Sequence, residues 1–263
     1  MPDPPNAHQT GWLVLDIGNS ATKGAVMQDE TVAYPFQVPT ASPDDWQAQF
    51  RSALSEVPPF SRVGVASVVP ALARRVPDAV RTWCDVSPLI VRPSLRLPFT
   101  LAYDTPDTLG ADRLALAVGA WDRYGKVAPT ARSVIAIDAG TALTYEVITA
   151  EGAYLGGAIA PGPRLMADAL HQGTAQLPDV PLTTPKSPIG RSTEAALQSG
   201  ILFGFLDGVT GMLDRLRSTL DTPPVIVVTG GWATLLREHV PDIDDADPHL
   251  VLRGIQTLMV LNP

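Results

Sequence analysis

Two stretches carry the residue types that phosphate chemistry needs. The first is Leu13-Val14-Leu15-Asp16-Ile17-Gly18-Asn19-Ser20-Ala21-Thr22-Lys23. An apolar run ends in Asp-x-Gly, small polar residues and a lysine follow, and Ala25-Val26-Met27 turns apolar again. This pattern predicts two buried strands joined by a tight turn. Such a turn shows several backbone N–H groups to one point, and glycine lets a ligand approach that backbone closely, which suits a phosphate. Asp16 then sits where it can hold a metal or the metal's water. The second stretch, Ile135-Ala136-Ile137-Asp138-Ala139-Gly140-Thr141-Ala142-Leu143-Thr144, repeats strand, Asp-x-Gly, small hydroxyl residue and returning strand. One Asp-x-Gly turn is an ordinary hairpin. Two in matching contexts predict a duplicated α/β fold with phosphate loops facing each other across a cleft.

A third stretch is Leu109-Gly110-Ala111-Asp112-Arg113-Leu114-Ala115-Leu116-Ala117-Val118, whose apolar residues suit a helix packed between layers. Asp112 and Arg113 fall in its first turn. The helix dipole favours the aspartate there but not the arginine. The pair also follows a proline-bearing loop, Leu95–Thr108, that carries Tyr103 and Asp104, so it is read as a candidate site. Gly156-Gly157 and Thr229-Gly230-Gly231 are further places where backbone could meet a ligand or simply turn. Ser192 is positioned as the N-cap of a long helix beginning at Thr193.

The elements that must hold these residues follow from the same periodicities. Residues 1–10 read as a loose tail. A hairpin over 12–27 precedes a strand at 31–38, a helix opened by Ser42-Pro43 that runs to about 55, a strand at 63–69, a helix at 70–83 and a short strand at 88–91. A boundary within 128–133 divides a first domain, 11–130, from a second, 131–263. The second begins with strands at 134–138, 144–149 and 154–159, followed by a helix at 164–171. A long irregular segment, 173–190, leads into a helix over 193–220, then a strand at 225–228 and a helix at 232–240. The acidic run Asp242–Asp247 lacks the glycine and terminal glutamate of a calcium loop and reads as a solvated connection. Residues 250–261 return to the core as a helix or an extended piece.

Composition narrows the function classes. The chain has 263 residues, 45% hydrophobic and 17% charged, as an ordinary globular protein does. A formal net charge of −8 disfavours nucleic acid or an anionic membrane as partner. The one cysteine, Cys84, permits no intrachain disulfide and reads as a half-buried thiol. His8, His171, His239 and His249 are scattered and form no metal or triad constellation. Neither a Gly-x-x-x-x-Gly-Lys-[Ser/Thr] loop nor Gly-x-Gly-x-x-Gly, His-Glu-x-x-His or Gly-x-Ser-x-Gly is present. The N-terminal residues lack the apolar core of a signal peptide, and no run approaches the roughly 18 apolar residues of a membrane span. A cytoplasmic protein is the expectation.

Taken in order, these blocks closely resemble the type III pantothenate kinase family, from about Gly11 to about Leu261. The matching blocks are Asp16–Lys23; Tyr103-x-x-Pro106 through Leu109-Gly110-Ala111-Asp112-Arg113; Asp138–Thr144; Gly156–Gly162; Gly190-Arg191-Ser192-Thr193-Glu194-Ala195-Ala196; and Thr229-Gly230-Gly231. The Asp-x-Gly loops alone point only to the wider actin and sugar-kinase superfamily, and the Gly-x-Asp-Arg block is the specific part. The resemblance implies a duplicated ribonuclease H-like fold, two α/β domains around a nucleotide cleft, and a homodimer. It implies that ATP phosphorylates the primary hydroxyl of pantothenate, the first step of coenzyme A synthesis. By the same resemblance Asp16, Ile17, Gly18, Asn19, Ser20, Ala21, Thr22 and Lys23 bind ATP phosphates, assisted by Thr141. Asp112 takes the hydroxyl proton. Tyr103, Gly110, Ala111, Arg113 and Thr193 surround pantothenate. The resemblance gives Asp138 a monovalent cation, potassium or ammonium; the position of Asp16 at the strand end, and magnesium's reluctance to dehydrate, give it Mg²⁺ held through water.

Two positions depart from the family pattern. Ser20 stands where threonine is commoner and keeps the hydroxyl. Glu146 stands where an aspartate usually closes the second motif, with the charge kept and the arm one methylene longer. The rival readings are another small-molecule kinase of the superfamily and a non-catalytic protein that keeps the fold.

Overall fold

The computed structural model describes residues 11–40, 43–127 and 129–263. The expected tail at 1–10, Ser42, Ala128 and the Cys84 thiol lie outside what it describes. In chain order the elements are β1 (Gly11–Ile17), β2 (Ala21–Gln28), β3 (Thr31–Pro39), α1 (Pro43–Ser55), β4 (Phe60–Ser67), α2 (Pro70–Cys84), β5 (Leu89–Ile90), β6 (Thr100–Leu101), α3 (Ala111–Ala120), β7 (Val134–Ala139), β8 (Ala142–Ile148), β9 (Ala153–Pro161), α4 (Pro163–Gly173), α5 (Thr193–Arg217), β10 (Val225–Thr229), α6 (Ala233–His239), β11 (Asp245–Ala246) and α7 (Leu250–Leu261). A 3₁₀ turn at Pro106–Thr108 and a π turn at Trp121–Gly125 complete the path.

The strands form two sheets, ordered β3-β2-β1-β4-β5 and β6-β9-β8-β7-β10-β11. Without β6, the second order repeats the first strand for strand. In each, the first three strands form an antiparallel meander. In each, the fourth strand pairs parallel to the first and the fifth parallel to the fourth. This is the plan of a duplicated ribonuclease H-like fold. Parallel pairs need a crossover, and helices supply it: α1 lies between β3 and β4, and α5 between β9 and β10.

Contacts sort the chain into two units. The first takes the described part of Met1–Pro98 with Asp104–Asp122 and His249–Pro263; the second takes Phe99–Tyr103 and Arg123–Pro248. We keep 130/131 as a proposed junction of the repeated halves. Packing nevertheless assigns the last helix, α7, to the unit built mainly from the first half. Its apolar face covers β1 and β4.

In the first unit, side chains alternate across the sheet. Leu13, Leu15 and Ile17 of β1 join Trp46 and Phe50 of α1 and Leu72, Val76 and Val80 of α2 in one core. Val14 and Asp16 therefore face the other way, where α7 lies: a Cβ on Gly64, the partner of Val14, would meet Ile255 Cγ2 at 2.7 Å. α3 packs tightly on α7, and a Cβ on Gly254 would overlap the Ala115 carbonyl.

In the second unit, Ile135, Ile137 and Ala139 of β7, Leu143, Tyr145 and Val147 of β8 and Ile226 and Val228 of β10 form a core with Phe205, Leu206, Val209 and Leu213 of α5 and Leu236 of α6. By length and composition α5 is long and apolar enough to cross a membrane, which corrects the reading that no run approaches that length. Its apolar face belongs to this core.

Three further features depart from the sequence reading. The acidic run is not only a solvated connection. Asp245–Ala246 adds an edge strand parallel to β10, and Asp244 Oδ2 accepts from the Ile226 backbone N–H at 2.8 Å. β6 is too short for a periodicity to show. The helix expected to begin near Leu109 starts at Ala111, with Gly110 as its N-cap.

The α3–α7 contact gives a stability prediction. Gly254→Ala places a methyl on the Ala115 carbonyl, so the helices must separate. Overpacking of this kind costs about 1–3 kcal/mol. Urea unfolding should show a lower midpoint with an unchanged slope; an unchanged midpoint would mean the contact is looser than described.

Candidate active site

The first Asp-x-Gly turn is made by local pairing. Asp16 pairs with Lys23 and Ile17 with Thr22 across β1 and β2, which leaves Gly18, Asn19, Ser20 and Ala21 as the connection. The Gly18 N–H donates to the Ala21 carbonyl at 3.0 Å and closes the turn. Directly opposed residues of antiparallel strands share a face, so Asp16 and Lys23 lie together on the α7 side of the sheet. Ile17 and Thr22 lie on the other side, and both are fully buried. The Thr22 hydroxyl accepts from Trp46 Nε1 at 2.7 Å. Its side chain is thus engaged in the core, and any phosphate contact from Ile17 or Thr22 must come from backbone. Asn19 and Ser20 are exposed at the tip.

The Gly110–Arg113 turn reaches the same end of this sheet. β4 passes beside β1, and the Val68 N–H donates to the Ile17 carbonyl at 3.1 Å. A Cβ on Gly110 would lie 3.7 Å from Val68 Cγ1. The N-terminus of α3 therefore meets the carboxyl ends of β1 and β4, the usual position of ligand sites in open α/β sheets. Asp112 Oδ1 accepts from the Arg113 N–H at 2.7 Å. A Cβ on Gly110 would stand 2.6 Å from that oxygen, so only glycine lets the carboxylate fold back over the helix end. Burial pushes the Asp112 carboxyl above its ordinary value. The backbone N–H groups of Arg113 and Asp112 and the Arg113 charge oppose this and do not cancel it. A half-buried carboxylate with a raised pKa is the form a proton acceptor takes.

The second Asp-x-Gly turn is one residue shorter. Asp138 pairs with Thr144 and Ala139 with Leu143, leaving Gly140, Thr141 and Ala142. Two other segments crowd this turn. Gly162, the N-cap of α4, donates its N–H to the Thr141 carbonyl at 3.0 Å, and a Cβ there would overlap the Gly140 and Thr141 carbonyls. Gly230, at φ +95°, lies against Asp138 and Ala139, and the Trp232 N–H donates to the Ala139 carbonyl at 3.0 Å. Thr141 is exposed, and Asp138 Oδ1 is a buried acceptor to which no hydrogen bond is made. Asp138 has other interactions of its own. Among the described residues, no three His, Cys, Asp or Glu side chains come together. A cation at either turn would therefore draw its remaining ligands from backbone, water or phosphate.

The other expected residues are placed as follows. Ser192 caps α5, its Oγ accepting from the Ala195 N–H at 3.2 Å, and Thr193 is the exposed first residue of the helix. Tyr103 is the second residue after β6, in the second unit. His171 and His239 contact the carbonyls of Leu177 and Leu235, as surface or capping residues do. Asp16–Lys23 and Gly110–Arg113 thus belong to the first unit, and Tyr103, Asp138, Thr141 and Thr193 to the second. Thr144, opposite Asp138, and Gly162 were not singled out for the site by sequence reasoning, although two-residue alternation from Asp138 across the turn would have found Thr144.

Comparison with known proteins gives the family and the fold. A family model described as type III pantothenate kinase matches residues 12–215. A type III pantothenate kinase of Parafrankia sp. is 36% identical over 254 residues, covering 95% of this chain and 98% of that protein. Type III pantothenate kinase 1 of Symbiobacterium thermophilum is 38% identical over 261 residues, covering 95% and 96%. Among solved structures, a Baf family protein of Campylobacter jejuni aligns with a TM-score of 0.58 at 19% identity, covering 95% of this chain and 98% of that one. A ROK family glucokinase of Streptomyces griseus, solved with glucose and AMPPNP, aligns with a TM-score of 0.55 at 14% identity, covering 94% and 98%. The structural matches carry the fold alone, an actin and sugar-kinase-like one. The family model and the curated relatives carry the identity: the chain belongs to the type III pantothenate kinase family.

Proposed function

We propose that this protein transfers the γ-phosphate of ATP to the primary hydroxyl of pantothenate, the first step of coenzyme A synthesis, with Asp112 as the proton acceptor. The observation that carries the assignment of Asp112 is its seat. It lies in the first turn of α3, at the carboxyl ends of β1 and β4, with burial raising its pKa. In the reaction the substrate oxygen bonds to the γ-phosphorus as the bridging P–O bond breaks. ADP leaves with that electron pair, and the hydroxyl proton passes to Asp112. Phosphoryl transfer needs positioning and charge neutralisation more than covalent help. The backbone of Asp16–Lys23 cradles phosphates, the Lys23 ammonium adds charge, and the Thr141 hydroxyl assists. Tyr103, Gly110, Ala111, Arg113 and Thr193 surround pantothenate, and the planar fork of Arg113 suits an anionic group.

Two cations fit the residues present. Asp16 would hold Mg²⁺ through water, since magnesium dehydrates reluctantly. Asp138, set between the Gly140 and Gly230 turns with a buried acceptor oxygen, would hold potassium or ammonium. When bound, such ions neutralise charge on the triphosphate and its leaving group. The protein acts as a homodimer in this reading. α5 keeps a stripe of small exposed residues, Ala196, Gly200, Gly204 and Gly208, on the side away from its core, and two-fold pairing is the commonest closed symmetry.

Three outcomes test these assignments. Asp112→Asn should lower turnover about 10²–10⁴-fold while leaving ATP binding intact. A carboxylate whose folded pKa is raised costs stability once pH rises through that pKa, because ionisation then opposes folding. The asparagine variant should therefore melt no lower than wild type at neutral pH. In the wild type, kcat/KM should fall as pH drops through a pKa above the ordinary carboxylate range. Turnover within about threefold of wild type in Asp112→Asn, set against that 10²–10⁴-fold, would remove the role. Enzyme exchanged into sodium-only buffer should lose most activity and regain it with potassium, and Asp138→Ala should lose that response; equal rates in both buffers would remove the second ion. Light scattering should give twice the chain mass, and a fully active monomer would refute the dimer.

A further inference from the structure

On the two strands beside β6, β9 and β8, lies a buried polar pair that the proposed reaction does not use. Glu146 and Tyr154 are both fully buried, and the Tyr154 hydroxyl donates to Glu146 Oε2 at 2.6 Å. Glu146 lies on β8 two residues beyond Thr144, on the sheet face that Asp138 also occupies and opposite to the α5 core. A carboxylate is a costly thing to bury, and a hydrogen bond to a charged group repays part of that cost.

The pair sits under Tyr103. Tyr154 stacks on Phe99 at 5.8 Å and tilts against Tyr103 at 5.9 Å between ring centroids. Backbone bonds hold the same segment: the Thr100 N–H donates to the Gly152 carbonyl and the Ala102 N–H to the Tyr154 carbonyl, both at 2.9 Å. Gly156, at φ +96°, is what makes room, because a Cβ there would stand 3.0 Å from Cδ2 and Cε2 of the Tyr103 ring. Glu146 thus fixes the hydroxyl of Tyr154, and the Tyr154 ring in turn presents a fixed surface to Phe99 and Tyr103.

We propose that Glu146 and Tyr154 are positioning residues for Tyr103, and through it set the affinity for the phosphate-accepting substrate. This rests on the reading of Tyr103 as a pantothenate contact. The longer glutamate arm is what reaches the Tyr154 hydroxyl from β8. An outer group of this kind acts by orienting the group that touches the ligand.

The test compares steady-state kinetics of Tyr154→Phe, Glu146→Gln, Glu146→Ala and Tyr103→Ala, with the double variant Tyr103→Ala/Tyr154→Phe. Tyr154→Phe keeps the ring and removes the donor. It should raise the KM for pantothenate about tenfold and leave the KM for ATP within about twofold, the pattern of lost binding on one substrate only. Glu146→Gln still accepts the hydroxyl proton and should retain more affinity than Glu146→Ala. In the Tyr103→Ala background, Tyr154→Phe should add less than about twofold, as coupled residues do. Hydrogen exchange at the Thr100 and Ala102 amides should rise in Tyr154→Phe, and this readout needs no substrate. An equal rise in KM for both substrates, an additive double variant, or Glu146→Gln as impaired as Glu146→Ala would overturn the proposal. Wild-type enzyme that turns over ATP but not pantothenate would instead overturn the substrate reading, with the exchange result still deciding whether Tyr154 holds the segment.

Discussion

The antiparallel pairing of β1 with β2, and of β7 with β8, is the constraint on which the rest of this protein depends. Each pairing forces an Asp-x-Gly turn of three or four residues at the carboxyl end of a buried strand. Strand alternation then leaves the aspartate no choice of side. With Leu13, Leu15 and Ile17 committed to one core, Asp16 must face the other way; with Ile135, Ile137 and Ala139 committed, so must Asp138. A register shift by one residue would turn Asp16 or Asp138 into the apolar core and its apolar neighbours out of it. The hydrophobic pattern therefore guards the position of both carboxylates, although neither contributes to the core.

Around these turns the chain spends conformational freedom on close approach rather than on side-chain contacts. Gly110 lets Asp112 fold back on its own helix end, Gly162 brings the bare N-terminus of α4 onto the Thr141 turn, and Gly230 brings a third segment against Asp138. In the first unit the Asp112 carboxylate thus lies on the end of its own helix, and in the second the Gly140 and Gly230 segments close around Asp138. Such an arrangement suits an anionic ligand accompanied by cations. A triphosphate beside Asp16, Asp112 or Asp138 would meet like charge, which is the reason for proposing cations there.

Buried polar pairs lock the surroundings. Trp46 donates to Thr22 and ties α1 to the strand carrying the first turn. Tyr154 donates to Glu146 in the second sheet and underlies the segment that ends at Tyr103. Each places a directional bond between buried groups, where an unmade bond costs more than a made one contributes. Such bonds specify one packing arrangement among the many that hydrophobic burial alone would allow.

Much of this was legible in one dimension. The two Asp-x-Gly turns, the Asp112-Arg113 pair at a helix start, the Ser192 cap and most strands and helices follow from local periodicity and turn chemistry, which depend on neighbouring residues alone. The duplication showed as repeated spacing. What the tertiary structure decided rests on contacts between distant residues. Thr22, read as a phosphate contact, is drawn into the core by Trp46, a residue on another element. The segment 245–246 becomes a strand only because β10 offers an open edge. α7 is apolar enough for either half, and it packs with the first because Gly64 and Gly254 leave it room there. The pKa of Asp112 rises through burial, which only the packed chain supplies. Glu146 read as a small departure from a motif until folding set Tyr154 against its carboxylate. Local sequence determines which residues can turn, cap or alternate; only the packed chain determines which of them lose their water.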